Sequence, residues 1–294
     1  MSDKTFDILN KIFVSIIVLI IVYPLIFVIS ASISDPAAVS TGKMWLWPVD
    51  ITLDGFKMVF QNKDIWMGYR NTIIYVVVGI LVHLVLLLPC AYALSRPEVR
   101  WKTGILWFIL FTMLFNGGMI PTYLVVKNLG MLDTMWAIVI PGALGAWSVL
   151  VARAFFQQNI PNQLVEAAKI DGASDFYIFY KIALPLSVPI IAVMALFHGV
   201  GLWNQYFSAL IYLSDRNLFP LQLILREILV LNEMSTGEGV QEIAGSAGSF
   251  ADQVKIAAQI KYAVMIVSTL PLIMVYPFVQ RFFVQGVLIG SVKE

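Results

Sequence analysis

EAAKIDGASDFYIFYKIALP, residues 166–185, is a polar, helix-forming stretch set between strongly apolar segments. Pro161 suits the first turn of a helix, where its missing N–H would be unpaired anyway, and residues 162–170 supply helix formers. Gly172 is placed as a C-terminal stop that can take φ > 0. Ser174 or Asp175 can cap a second helix, on which Phe176, Phe179, Tyr180 and Ala183 recur at helical spacing, and Leu184-Pro185 ends it. The spacing predicts a hairpin of two short helices. Its aromatic stripe is too apolar to be left in cytosol, so it either folds back on the protein or fills a partner's groove. Ala167 and Ala168 permit close backbone approach, and Glu166 offers a charge to pair.

The flanks place this hairpin beside a membrane. A chain of 294 residues that is 60% hydrophobic and 13% charged, with mean hydropathy +0.85, has more apolar surface than one soluble core can hide. Its charges leave six free stretches, 12–34, 71–95, 103–126, 134–152, 182–214 and 262–280. Each can cross a hydrocarbon core of roughly 30 Å at roughly 1.5 Å rise per residue. None alternates like a barrel strand, so the expected fold is an all-α integral membrane protein with six transmembrane helices. The expected spans are 12–34, 71–95, 103–126, 134–155, 187–213 and 260–281, with the hairpin at 160–186 and outer loops at 35–70 and 214–259. Lys4, Lys11 and Ser30-Ala31-Ser32 have the order of a signal peptide, but the apolar run 12–29 exceeds an h-region and reads as an uncleaved span. Arg96, Arg100 and Lys102 after the second span, against Lys127 with Asp133 after the third, put the former loop in the cytoplasm. Both termini and the hairpin then face the cytoplasm too.

In the first outer loop Trp45 and Trp47 suit an interfacial belt, and Leu53, Phe56, Val59 and Phe60 share one face of a short amphipathic helix. Pro89, the Asn116-Gly117-Gly118 run with Pro121, and Pro141-Gly142 mark expected kinks. Trp203, Asn204, Gln205 and Tyr206 are polar and aromatic groups within span five, where polarity is costly unless it meets a cavity or another helix. Sugar contact and helix–helix hydrogen bonding both explain them, and Asn116 joins them as a pathway candidate. Residues 235–249 form a Gly-, Ser- and Ala-rich outward tongue.

Several functions are excluded. A net charge of +1 gives no basic face for nucleic acid. His83 and His198 have no ligand partners at metal spacing and read as packed polar residues, while Cys90 reads as a small buried hydrophobe. No phosphate loop, H-E-x-x-H or carboxylate pair is present, so the chain holds no cofactor and is not itself an enzyme. A secondary transporter would carry ionisable residues in its spans, and the six charge-free stretches that form the spans here lack Asp, Glu, Lys and Arg. Energy must therefore enter from outside the membrane, and the hairpin is the visible route.

Glu166-Ala167-Ala168, Gly172, Ile182 and Leu184-Pro185 resemble the EAA signature of permease subunits in binding-protein-dependent ABC importers, with every signature position filled. Residues 120–142, Trp203-Asn204 and the tail 280–293 are similar to the carbohydrate branch, as in the smaller permease of the maltose transporter and in permeases for oligosaccharides from complex polysaccharides. This resemblance implies a type I importer fold in a bacterial inner membrane, multi-pass, surrounded by membrane lipid. It implies a second homologous permease, two ATPase subunits that hold ATP and Mg, and an extracytoplasmic sugar-binding protein. Glu166, Ala167, Ala168, Gly172, Phe176, Phe179, Tyr180, Ile182, Leu184 and Pro185 would form the coupling helix seated on an ATPase. Gly237, Gly239, Gly245, Ser246, Gly248 and Phe250 would face the receptor, and Gln285, Gly286, Gly290 and Lys293 would reach between the ATPases.

Overall fold

The computed structural model describes residues 3–236, 260–278 and 280. Every regular element among them is helical. The described residues fall into two compact units, one of 3–66 with 224–236 and 260–271, the other of 67–223 with 272–278 and 280. The receptor-facing and tail residues anticipated at 237–250 and 285–293 lie outside the described residues.

In the first unit α1 (Asp3–Ser32) is a 30-residue apolar helix with Pro24 inside it. Asp35 caps the short α2 (Pro36–Ser40) by accepting from the Ala38 amide. The anticipated amphipathic helix is α3 (Asp54–Gln61), which buries Gly55 and Val59. Leu53 precedes it as the cap and, like Phe60, is exposed, so the buried strip is narrower than the sequence implies. Phe60 stacks on Trp66, whose indole N–H donates to the Phe60 carbonyl at 2.9 Å. Trp45 and Trp47 stand out in the open, as interfacial tryptophans do.

The second unit is built on α4 (Lys63–Ser95), which begins eight residues before the expected span and takes 63–70 out of the outer loop. Among the described residues three helices are long and apolar enough to cross a membrane: Lys4–Ser32 within α1, α4, and α15 (Ile260–Phe278). The other apolar stretches are broken. The third divides into α5 (Lys102–Leu114) and α6 (Met119–Asn128), bent by 114°. At that bend the Asn116 side chain accepts from the Gly118 amide at 2.8 Å, and Gly118 sits at φ +88°, where glycine avoids the Cβ clash. The stretch expected as one span over 134–155 is also two helices, α7 (Trp136–Val139) and α8 (Ala146–Asn159), because Pro141 cannot donate and Gly142 adds freedom. After α9 (Asn162–Ile170) come α10 (Asp175–Tyr177), a wide π turn (Ile178–Ala183) and α11 (Leu184–Leu186), then a 77° bend into α12 (Val188–Trp203). α12 stops at Asn204-Gln205 before α13 (Phe207–Tyr212), and a short turn (Arg216–Leu218) leads to α14 (Leu221–Thr236).

Two apolar clusters hold this unit together. One joins Leu87, Ala91 and Tyr92 of α4 to Val149, Ala152 and Phe156 of α8, Val165 of α9, and Ile178 and Phe179 of the π turn. The other joins Tyr75, Val126, Ala137, Leu202 and Tyr212. Glycine lets α4 and α12 approach closely: a Cβ on Gly79 would lie 2.3 Å from Leu202 Cδ1, and one on Gly199 2.9 Å from Ile80 Cδ1.

Candidate functional site

The hairpin forms as two helical pieces joined by a glycine turn. Pro161 stands at the N-cap of α9, one position before the first turn the sequence suggests, with φ −60° and ψ 144°. Gly172 takes φ +82°; its amide donates to the Lys169 carbonyl and that of Ala173 to the Ala168 carbonyl, closing the C-terminus of α9. Of the two proposed caps for the second piece, Ser174 does the work, its Oγ accepting from the Tyr177 amide at 3.3 Å. Asp175 instead meets Lys169 Nζ at 3.2 Å, and Lys169 reaches Glu98 at 3.5 Å. The hydrogen bond to Asp175 pushes the Lys169 ammonium above its ordinary pKa, against a small opposing desolvation. All three side chains are well solvated, so the network orients more than it stabilises.

The aromatic stripe does not hold as a single face. The backbone opens into a π turn over 178–183, and its longer repeat carries Ile178, Phe179 and Ala183 inward while Phe176 and Tyr180 are left exposed at 78% and 59%. Leu184-Pro185 does not terminate the helix; the turn comes at Ser187, whose hydroxyl donates to the Ala183 carbonyl at 2.7 Å. Glu166 and Ala167 are exposed, Ala168, Ile182 and Leu184 are half-buried, and Pro185 is exposed.

The root of the hairpin is fixed by crossed arginines. Arg96, just past α4, donates from Nη2 to the Phe156 and Ile160 carbonyls at the end of α8, while Arg153 of α8 donates from Nε to the Leu94 carbonyl of α4 at 3.0 Å. Each cation meets the negative end of the other's helix. Tyr92 carries the contact onward, with ring centroids 5.5 Å from Phe156 and 5.1 Å from Phe179 and the Arg96 guanidinium 4.9 Å above its face. A cleft of about 310 Å³ opens here between α4 and the hairpin, walled by Tyr92, Phe176 and Phe179.

The pathway candidates do not come together. Trp203 is buried and meets Tyr69 edge-on at 6.0 Å, and Asn204 is exposed with its amide returned to the Val200 carbonyl of its own helix. Tyr206 meets Phe207 edge-on, and Asn116 is committed to the bend at Gly118. Gln205, bonded to Ser208 at 2.6 Å, lines a cavity of about 400 Å³ with Trp147, Ser148, Phe197 and His198. The sequence reading missed that cavity and the pair beside it. His83 and His198 stack with ring centroids 4.1 Å apart and planes within 7°. His83 Nδ1 lies 2.7 Å from the Ala143 carbonyl in the break between α7 and α8, which assigns the proton to Nδ1. The available signal was two histidines in separate charge-free spans, and nothing in their spacing says that they meet.

Residues 65–289 match the family described as "Binding-protein-dependent transport system inner membrane component". The chain is 39% identical over 292 residues to Protein LplC of Bacillus subtilis (strain 168), covering 99% of this chain and 96% of the relative. It is 41% identical over 293 residues, with full coverage of both, to the same organism's "Polygalacturonan/rhamnogalacturonan transport system permease protein YtcP". Among solved structures it is similar to a chain of "a bacterial ABC transporter involved in the import of the acidic polysaccharide alginate", at 36% identity and TM-score 0.84, covering 96% of this chain and 98% of that one.

Proposed function

Since this chain belongs to the family of binding-protein-dependent transport system inner membrane components, we propose that it is one permease of an ABC importer that moves a sugar or oligosaccharide into the cytoplasm. A second permease completes the pathway, an external binding protein delivers the sugar, and two separate ATPase subunits supply the energy from ATP and Mg. The six charge-free stretches act as six crossings, three of them broken, and both termini face the cytoplasm with Arg96, Arg100 and Lys102.

The observation that carries the reading is the outer face of the hairpin. Ile170, Phe176, Tyr177 and Tyr180 are exposed, as is Glu166, on a hairpin whose inner face is fixed to α4 and α8. Exposed apolar and aromatic groups rimmed by charge mark a protein interface, and here the partner is the ATPase. Glu166, Ala167, Ala168, Gly172, Phe176 and Tyr180 make the contact. Phe179, Ile182 and Leu184 hold the hairpin to the bundle, so motion of the ATPase is passed through Pro185 into α12. The Gly-rich segment around Gly237–Phe250 faces the receptor, and the tail around Gln285–Lys293 meets the ATPases.

Reconstitution tests this. Proteoliposomes holding the four subunits should take up an oligosaccharide released from pectin or alginate only with binding protein outside and ATP inside. Equal uptake without binding protein or without ATP would defeat the proposal.

A further inference from the structure

We propose that the cleft between α4 and the hairpin binds an anionic phospholipid, with an acyl chain laid along α4 and the phosphate at the Arg96 end; this rests on reading α4 as a membrane crossing. The lining changes character along the helix. Pro89, Tyr92 and Ala93 form its apolar part, and Arg96 stands where α4 gives way to the loop. Leu81, Val85, Pro89 and Ala93 recur every fourth residue and all are exposed, so an open apolar stripe on one face of α4 runs into the cleft. Hydrocarbon chains match such a stripe, being as apolar as leucine. From the hairpin, Phe176 and Phe179 close the opposite wall, while the exposed Tyr177 and Tyr180 do not line it. The lipid and the ATPase therefore meet different sides of the hairpin, sharing only Phe176.

The polar end calls for a negative charge. Arg96 is buried; its Nε donates to Ser95 Oγ and its Nη2 to the Phe156 and Ile160 carbonyls, whereas Nη1 is buried with no hydrogen-bond partner. Every oxygen it meets is neutral, and among the described residues no carboxylate pairs with it. Glu98 and Asp175 line the cleft too, but both are turned to Lys169, at 3.5 and 3.2 Å. Lys102 Nζ donates to the Arg96 carbonyl at 3.2 Å, which brings a second cation to this end, and Arg100, between them in sequence, is exposed. Residues 96–102 thus hold three cations against the one carboxylate of Glu98, next to an exposed Trp101 that suits the headgroup layer. A phosphodiester offers these donors a charged acceptor. A zwitterionic headgroup brings its own cation and matches them less well.

Titration of the complete complex in detergent with phosphatidylglycerol, and separately with phosphatidylcholine, tests this. Val99 is half-buried and lines the cleft, so Val99→Cys in a Cys90→Ser background gives this chain a single thiol at the site. Its labelling by a soluble reagent should slow at least about threefold with phosphatidylglycerol and stay near the lipid-free rate with phosphatidylcholine. Lys102→Gln should raise the phosphatidylglycerol needed for half-protection about fivefold, the equivalent of about 1 kcal/mol, whereas Lys127→Gln in α6 should not. A second readout is the lipid retained through purification, identified by mass spectrometry. Wild type should keep phosphatidylglycerol, and Ala93→Trp, which fills the cleft, should lose it. Equal slowing by the two lipids, equal slowing by inorganic phosphate alone, or unchanged retention in Ala93→Trp would overturn the site. So would a thiol already protected in the lipid-free complex, since a protein partner would then cover the cleft. No arm uses sugar or ATP, so failure here leaves the importer reading standing, and failure of that reading leaves the lipid site to be judged by its own result.

Discussion

Arg96→Met should loosen the hairpin without unfolding the rest of the protein. Arg96 is only 7% exposed and its Nη2 donates to two carbonyls, Phe156 and Ile160, both at 3.3 Å. Hydrogen bonds from a charged donor contribute about 1.5–3 kcal/mol each, and these are long, so the lower end gives about 3 kcal/mol for the pair. Methionine fills similar volume but leaves the end of α8 without its cation. The hairpin is fixed through that end, by way of Phe156, Tyr92 and Phe179. Its opening equilibrium should therefore rise about 100-fold, at roughly 1.4 kcal/mol per factor of ten. Amide hydrogen exchange over 162–183, in the complex or in lipid nanodiscs, reads this directly. Arg100→Met, at an exposed position in the same loop, should leave those amides unchanged. Acceleration of less than about threefold in Arg96→Met would refute the idea that crossed arginines anchor the hairpin.

Phe179→Ala should cost about 3–5 kcal/mol of stability as a buried ring is lost, whereas Phe176→Ala should leave the melting temperature unchanged and reduce coupling to ATP hydrolysis. Gly79→Leu should drive α4 and α12 apart, since a Cβ alone would lie 2.3 Å from Leu202 Cδ1, and lower the yield of folded protein in detergent. The Lys169–Asp175 contact should persist through neutral pH: the ammonium's folded pKa is raised, so its contribution is complete below the ordinary value of 10.5 and is lost only as pH climbs through the folded value. Chemical cross-linking of that pair with a zero-length carbodiimide, unchanged between pH 6 and pH 8 after correction for reagent reactivity, checks it at about neutral pH.

The charge-free stretches made legible the three described helices that are long and apolar enough to cross a membrane, because in lipid a long uncharged run has few alternatives. The turn of the hairpin was equally open to reading, since only glycine takes φ +82° cheaply at position 172. Other features were hidden for physical reasons. The stripe of Phe176, Phe179, Tyr180 and Ala183 presupposes 3.6 residues per turn, and a π turn breaks that period without a composition signal. Asn116-Gly117-Gly118 and Pro141-Gly142 signalled weakness in two apolar stretches, but how far each would bend depends on packing that a local pattern does not contain. Trp203 had the chemistry of a sugar platform and was turned into the protein instead. The stacked histidines belong to helices 115 positions apart in sequence, 198 minus 83, a contact that only the folded bundle creates.

In the proposed importer, energy from an external ATPase enters a sugar pathway through the hairpin. ATP hydrolysis by the reconstituted complex, measured with and without sugar-loaded binding protein, tests it most directly. Wild type should be stimulated and should import sugar, whereas Glu166→Lys, alone and with Gly172→Pro, should assemble yet show neither stimulation nor uptake. Undiminished stimulation and uptake in the double variant would contradict the claim.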